Sequence, residues 1–194
     1  MPSNADLIKL LVRDLLVLIF VAAACYTDCR YSRVPNKLTF PFMVAGIVTN
    51  LILDGKNGLA SSLIGLGIGL GIFFVPFAIG WFKGGDVKFC MAVGAIKGSG
   101  AMFWESYPFW AFLYGAAIGG VVSTVILMRR RLGFKPFVRL MNYFHMRYVV
   151  GVPVEYEHED ETRFPYVINL ALGCILAMIL EATFGCANPF LRGR

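Results

Sequence analysis

"LASSLIGLGIGLGIFFVPFAIGW", residues 59–81, runs its whole length without a charged side chain. About 20 apolar residues wound into an α-helix are enough to cross the hydrocarbon core of a bilayer. In that setting the backbone must satisfy its hydrogen bonds internally, which a helix does. The alternating apolar pattern of a membrane β-barrel is absent from the sequence. The stretch therefore predicts a membrane-spanning helix.

The rest of the chain has the same character. It has 194 residues, of which 58% are hydrophobic and only 15% charged, and its mean hydropathy is +0.68. A soluble domain of this length carries more charge and less apolar surface. The composition predicts an all-α integral membrane protein that forms a single membrane-embedded domain, residues 1–194, with the lipid bilayer as its surroundings.

The apolar segments predict about six transmembrane helices in one bundle. Gly65, Gly67, Gly69 and Gly71 lie in the third of them, and we expect these small residues to let neighbouring helices approach closely. The second predicted span is preceded by Pro35 and Asn36, which suit a turn. The predicted spans are residues 8–26, 38–53, 59–81, 86–96, 102 or 108–128, and 165–184.

The basic residues predict an orientation. Under this assignment three segments lie on one side of the membrane, and they hold 12 of the 18 lysines and arginines. The positive-inside rule places that side in the cytoplasm, including a loop at about 129–163, and both termini outside. The same rule accounts for the net charge of +6, so no nucleic-acid partner is predicted. The 12 residues are Arg30, Arg33, Lys37, Lys83, Lys88, Arg129, Arg130, Arg131, Lys135, Arg139, Arg147 and Arg163.

Carboxylates near a membrane are costly and are therefore functional candidates. Asp28 ends the first predicted span, and Asp86 begins the fourth. Two whole spans separate them, so both must lie on the same side of the membrane. Asp14 and Glu181 are the other membrane-edge acids, and we expect Glu181 to be interfacial and far from the pair.

Two neighbouring carboxylates can share one proton, since like charges close together cannot both ionise cheaply. The ionised member can take a proton from water, while the protonated member polarises a carbonyl. Gly84 and Gly85 would let an extended peptide approach Asp86. Structural alternatives stay open: Asp86 as a helix N-cap, and Asp28 as a partner of Arg30 or Arg33.

Three motifs carry a resemblance to a known family. "DCRYSRVPN", residues 28–36, and "GGDVKF", residues 84–89, resemble the two aspartate motifs of type IV prepilin peptidases, the second a Gly-x-Gly-Asp block. "FPYVINLALG", residues 164–173, resembles the last conserved span of that family. The resemblance implies a membrane aspartic endopeptidase that removes short basic leaders from prepilins or pseudopilins. It implies Asp28 and Asp86 as the catalytic pair and the cytoplasmic face of the bacterial inner membrane as the location.

Two departures from the family pattern matter. Lys83 stands where the first glycine of Gly-x-Gly-Asp is expected, and its ammonium could favour the ionised Asp86 carboxylate or contact substrate. The chain also lacks the cytoplasmic insert with C-x-x-C pairs that larger members carry, so it looks like the small, protease-only type associated with Flp-like pili. We expect no metal site and no cofactor. We expect the Lys88 side chain to snorkel, with its ammonium extended toward water. Alternatively, Lys88 steers an acidic residue of the substrate.

Two other classes of function remain open. Asp28 and Asp86 could relay protons in a proton-coupled transporter, although the spans show neither clear inverted repeats nor acids at the membrane midplane. The protein could instead be a non-catalytic membrane subunit of a secretion or pilus machine, and Lys83 is the best argument for that reading.

Overall fold

The computed structural model describes residues 4–31, 33–78, 84–100, 102–129 and 166–184. Within these ranges the chain is helical and contains no strand. The helices are α1 (Asn4–Tyr31), α2 (Asn36–Ala78), α3 (Gly84–Lys97), α4 (Tyr107–Arg129) and α5 (Tyr166–Phe184), with a short 3₁₀ turn at Phe103–Glu105.

Three helical stretches in the described residues are long and apolar enough to cross a membrane: Asn36–Phe74, Tyr107–Ile126 and Val167–Phe184. The prediction of an all-α membrane protein is confirmed, whereas the number of six spans is not. Helix α1 carries Lys9, Arg13 and Asp14 in its first half, which lowers its apolar character. Helix α3 has 14 residues and is about 21 Å long, short of the roughly 30 Å of a bilayer core.

Helix α2 is interrupted at Gly55, where φ is 61° and ψ is −138°. This is the left-handed region, which glycine enters without the steric cost that a Cβ would impose. The interruption divides α2 into a first arm, residues 36–54, and a second arm, residues 56–78. Each arm is then about as long as one bilayer crossing.

The two arms pack on α3 in opposite directions. Asn36 of the first arm contacts Lys88 near the start of α3, and Asn50 contacts Ile96 near its end. In the second arm the order reverses, because Ser61 contacts Ser99 just beyond α3 whereas the later residue Gly69 packs on Cys90. Helix α2 is therefore a hairpin that turns at Gly55 and holds α3 along its length.

Close backbone packing between the second arm and α3 uses two of the four predicted glycines. A Cβ on Gly65 would lie 2.9 Å from the carbonyl carbon of Gly94, and one on Gly69 would lie 2.7 Å from that of Cys90. A Cβ on Gly67 or Gly71 would have no neighbour within 4 Å. The prediction was wrong for Gly67 and Gly71, because residues two apart on a helix point to different faces.

The turn predicted before α2 is confirmed. The Pro35 carbonyl accepts hydrogen bonds from the amides of Leu38 (3.0 Å) and Thr39 (3.2 Å), and α2 begins at Asn36. This places the Asn36 side chain beside α3.

The chain divides into two compact units, residues 1–118 with 165–194, and residues 119–164. In the first unit Phe20, Phe73, Phe89, Ile96 and Leu170 are almost fully buried. In the second unit the structure describes residues 119–129, the last turns of α4. The predicted single domain remains a prediction, and the predicted loop at 129–163 lies outside the described residues beyond Arg129.

Candidate active site

Asp28 lies in the last turn of α1 and points into the protein. Its exposed fraction is 9%, whereas Cys29, Arg30 and Tyr31 beside it are exposed. The Arg30 guanidinium donates a hydrogen bond to the Tyr26 hydroxyl (3.2 Å) and lies 5.7 Å from the centre of the Tyr31 ring. Asp28 is thus an inward carboxylate in a turn whose neighbouring side chains face outward.

Asp86 is also 9% exposed and lies in the first turn of α3. Since α3 is already helical at Gly84 and Gly85, Asp86 is inside the helix and does not occupy the N-cap position. Negative charge is favoured near a helix N-terminus, where backbone amides point outward. Asp86 lies in the first turn of α3, and its side chain is not the cap of the helix.

The segments that carry the two aspartates meet in space. A Cβ on Gly85 would lie 3.7 Å from the Val34 amide nitrogen and 3.9 Å from the Val34 Cβ. Three residues beyond Gly85, the Lys88 ammonium donates a hydrogen bond to the side-chain oxygen of Asn36, two residues beyond Val34, at 2.7 Å. The loop after α1 thus lies against the start of α3.

Helices α1 and α3 run antiparallel beneath this contact. The rings of Phe20 and Phe89, both completely buried, have centroids 5.2 Å apart. Since each Cα–Cβ bond tilts toward the N-terminus of its own helix, Asp28 near the end of α1 and Asp86 near the start of α3 lean toward each other along the helix axes. The Phe20 and Phe89 rings lie deeper along this helix pair than either aspartate.

The glycines of the second motif differ from the packing glycines of α2. A methyl group on Gly85 would make ordinary van der Waals contact with Val34, so the fold does not require a glycine there. That Gly84 and Gly85 serve substrate approach stays a prediction.

The third motif packs α5 against α4. A Cβ on Gly173 would lie 2.7 Å from the Gly115 Cα, and Asn169 is 3% exposed. The Tyr107 hydroxyl donates a hydrogen bond to the Cys174 carbonyl at 2.7 Å. This motif therefore has a structural role in the described residues.

A second group of charged residues lies at the other end of α3, and the sequence did not predict it as a site. The Lys97 ammonium, whose side chain is only 2% exposed, contacts both Asp14 (2.6 Å) and Glu181. Lys9 and Arg13 of α1 pair with Asp54 beside the α2 turn. The lysine within the stretch "GAIKGSG", residues 94–100, could have indicated this charged group. Its acidic partners, however, are far away in the sequence. Lys83 lies outside the described residues.

The fold and the site define a helical membrane protein with two buried carboxylates on adjoining helix ends. A model of the type IV leader peptidase family matches residues 15–182, a range that includes both aspartates and most of the chain. The chain therefore belongs to the type IV leader peptidase family, which confirms the resemblance seen in the motifs. No curated protein and no solved structure matched the chain.

Proposed function

We propose that the protein is an aspartic endopeptidase that removes the leader peptide from type IV, Flp-like prepilins or pseudopilins. The proposal depends mainly on the close approach of Val34 and Gly85, because it brings together the two segments that carry Asp28 and Asp86. Membership of the leader peptidase family supports the same reaction class.

Asp28 and Asp86 act as the catalytic pair in this proposal. With one proton shared between them, the ionised carboxylate takes a proton from water and the resulting hydroxide attacks the scissile carbonyl carbon. The protonated carboxyl donates a hydrogen bond to the carbonyl oxygen. When the tetrahedral intermediate collapses, the carbon–nitrogen bond breaks and the amine leaves with a proton from the pair. No covalent enzyme intermediate forms, and neither metal nor cofactor takes part.

Burial of both carboxylates supports this division of roles. Each is 9% exposed, so both carboxylates are largely removed from water. Removal from water strengthens their mutual repulsion, which favours one shared proton over two ionised groups. An exposed pair would ionise fully near neutral pH and would leave no acid for the carbonyl.

The substrate is an extended leader joined to an apolar helix. Gly84 and Gly85 provide room for its backbone beside Asp86, and Lys83, Lys88, Pro35 and Asn36 shape the surroundings. The hydrogen bond between Lys88 and Asn36 joins α3 to the start of α2 at the edge of the site. The leader is cut at the cytoplasmic side of the bacterial inner membrane, where the basic loops lie, while the apolar helix of the prepilin stays in the bilayer.

We also propose six membrane crossings in a single peptidase domain. The two arms of α2 each count as one crossing, since the hairpin at Gly55 returns the chain along α3. Helices α1, α4 and α5 provide three more, and α3 is a short crossing enclosed by its neighbours. An even number of crossings separates Asp28 from Asp86, which keeps them on one side.

Co-expression with a prepilin encoded in the same genome tests the proposal. The peptidase predicts a pilin shortened by its leader, with a single cut identified by mass spectrometry of both fragments. A transporter would leave the prepilin intact and move protons when reconstituted in vesicles, and a non-catalytic subunit would do neither. A membrane-inserted, folded protein that leaves the prepilin at full length would contradict the proposal.

A further inference from the structure

The buried ammonium of Lys97 joins three helices. Lys97 ends α3, Asp14 lies on α1 and Glu181 on α5. The Lys97 ammonium also lies 4.6 Å from the centre of the Tyr107 ring at the start of α4. We call Lys97, Asp14 and Glu181 the Lys97 clasp.

A lysine this deeply buried is stable only when its charge is compensated. Its side chain is 2% exposed, while those of Asp14 and Glu181 are 15% and 22% exposed. An uncompensated buried charge is strongly destabilising, and so is removal of one partner of a buried ion pair. The C-terminal end of α3 adds negative potential from its carbonyls, and the Tyr107 face adds a cation–π contact. The ammonium therefore has a strongly preferred position.

The same end of α3 is attached to α1 by a second route. The Arg13 guanidinium donates a hydrogen bond to the Asn50 side-chain oxygen at 2.7 Å. The Asn50 amide in turn donates to the carbonyls of Ala95 (3.0 Å) and Ile96 (2.9 Å). Neighbouring residues of α1, Arg13 and Asp14, thus hold the end of α3 from two sides.

The clasp and the aspartates lie at opposite ends of one antiparallel helix pair. From Asp14 to Asp28 is about 21 Å along α1, and from Lys97 to Asp86 is about 16 Å along α3. Because helices this short are stiff, fixing α1 against α3 at one end fixes the longitudinal register at the other. Near the start of α3 the Lys88 ammonium donates a hydrogen bond to Asn36 of α2, so the α1–α3 ion pair lies at the end of α3 that is remote from Asp86.

We infer that the Asp14–Lys97 ion pair of the clasp is a positioning device for the active site. Through its Asp14 contact, Lys97 sets the register of α1 against α3 and thereby the separation of Asp28 and Asp86. This inference rests on the proposed function for its catalytic part, but the register itself is measurable without any cleavage. Glu181 anchors α5, which carries neither aspartate.

Two carboxamide variants separate positioning from general stability. Asp14→Asn and Glu181→Gln each remove one carboxylate from the same lysine, but only the first removes an ion pair between α1 and α3. The register is read from the rate at which Val34→Cys and Gly85→Cys form a disulfide, since this bond tolerates only a narrow range of Cβ separations. Activity is read separately as kcat and KM for prepilin cleavage.

Asp14→Asn should slow the Val34→Cys/Gly85→Cys cross-link at least about threefold, because the bond depends on geometry. It should lower kcat by about tenfold with KM little changed, since misplacement of about 1 Å can cost up to a hundredfold. Glu181→Gln should stay within about twofold of wild type in both readouts, since it leaves the α1–α3 contact in place. If Asp14→Asn does not fold, Asp14→Asn combined with Lys97→Gln removes both buried charges of the pair and is used instead.

Equal effects of Asp14→Asn and Glu181→Gln, or an unchanged cross-linking rate in the folded Asp14 variant, would overturn the inference. If the Val34→Cys/Gly85→Cys protein cross-links but the wild-type protein never cleaves prepilin, the proposed function alone is refuted. If the wild-type protein cleaves prepilin but Asp14→Asn changes neither the cross-linking rate nor kcat, the positioning role alone is refuted.

Discussion

Val34 lies against Gly85, with its amide nitrogen 3.7 Å and its Cβ 3.9 Å from the place that a Cβ on Gly85 would occupy. The two residues are far apart in the chain, one in the loop after α1 and the other in the first turn of α3. Their contact brings together the two motifs that carry Asp28 and Asp86. The catalytic proposal depends on this contact, and each of its consequences can be measured.

The contact predicts a disulfide. A Cβ separation of 3.9 Å lies within the range of about 3.5–4.5 Å that a disulfide requires. In a Cys29→Ser background, Val34→Cys with Gly85→Cys should form an intramolecular bond under mild oxidation, seen as a mass loss of about two hydrogens and a reducible mobility shift. The control pair, Val34→Cys with Gly100→Cys, places the second thiol roughly 20 Å away along the helix and should not cross-link. Equal cross-linking of both pairs would contradict the fold at this site.

Gly85 tests the role of open space beside Asp86. Gly85→Ala adds a methyl that fits against Val34, so the free energy of unfolding should change by less than about 1 kcal/mol. Prepilin cleavage should nevertheless fall by about tenfold, because the methyl occupies the space that the substrate backbone needs. Gly67→Ala, at an exposed position where a Cβ would meet nothing within 4 Å, should leave both quantities near wild type. Full activity of Gly85→Ala would show that the glycine does not serve substrate approach.

Gly69 and Gly71 test the helix packing that holds α3. A Cβ on Gly69 would meet the Cys90 backbone at 2.7 Å, whereas one on Gly71 would meet nothing within 4 Å. Gly69→Ala should therefore lower the free energy of unfolding by about 2 kcal/mol, as overpacking does. Gly71→Ala should change it by less than about 1 kcal/mol, since only local helix propensity is affected. Unfolding in mixed detergent micelles gives both values, and equal values would refute the packing arrangement.

The features that the sequence predicted are those set by local physics. Long uncharged runs must be helical in a bilayer, and Pro35 followed by Asn36 forms the expected turn into α2. Asp28 and Asp86 were predicted as the catalytic pair because membrane-edge acids are rare and because their flanking motifs resemble a family, and this assignment stays a prediction. All of this information lies within short stretches of the chain.

The features that the sequence missed depend on distant partners. Lys97 and Asp14 are 83 residues apart, and no local pattern shows that a single lysine at a helix end will be buried between two acids. Four glycines in alternation gave no indication of which face would meet α3, so Gly67 and Gly71 were assigned wrongly. The number of spans could not be predicted from the sequence for the same reason. Helix α3 is too short to be recognised as a crossing without the helices around it.

The central claim is tested most directly by cleavage assays on Asp28→Asn and Asp86→Asn, with Glu181→Gln as the control carboxamide. Each amide keeps the shape of the side chain but cannot share the proton, so each aspartate variant should lose at least about a thousandfold in kcat, as loss of an essential acid or base does. Both should still insert, fold and form the Val34→Cys/Gly85→Cys cross-link. Glu181→Gln should cleave prepilin at close to the wild-type rate. Near-wild-type cleavage by either aspartate variant would contradict the shared-proton mechanism.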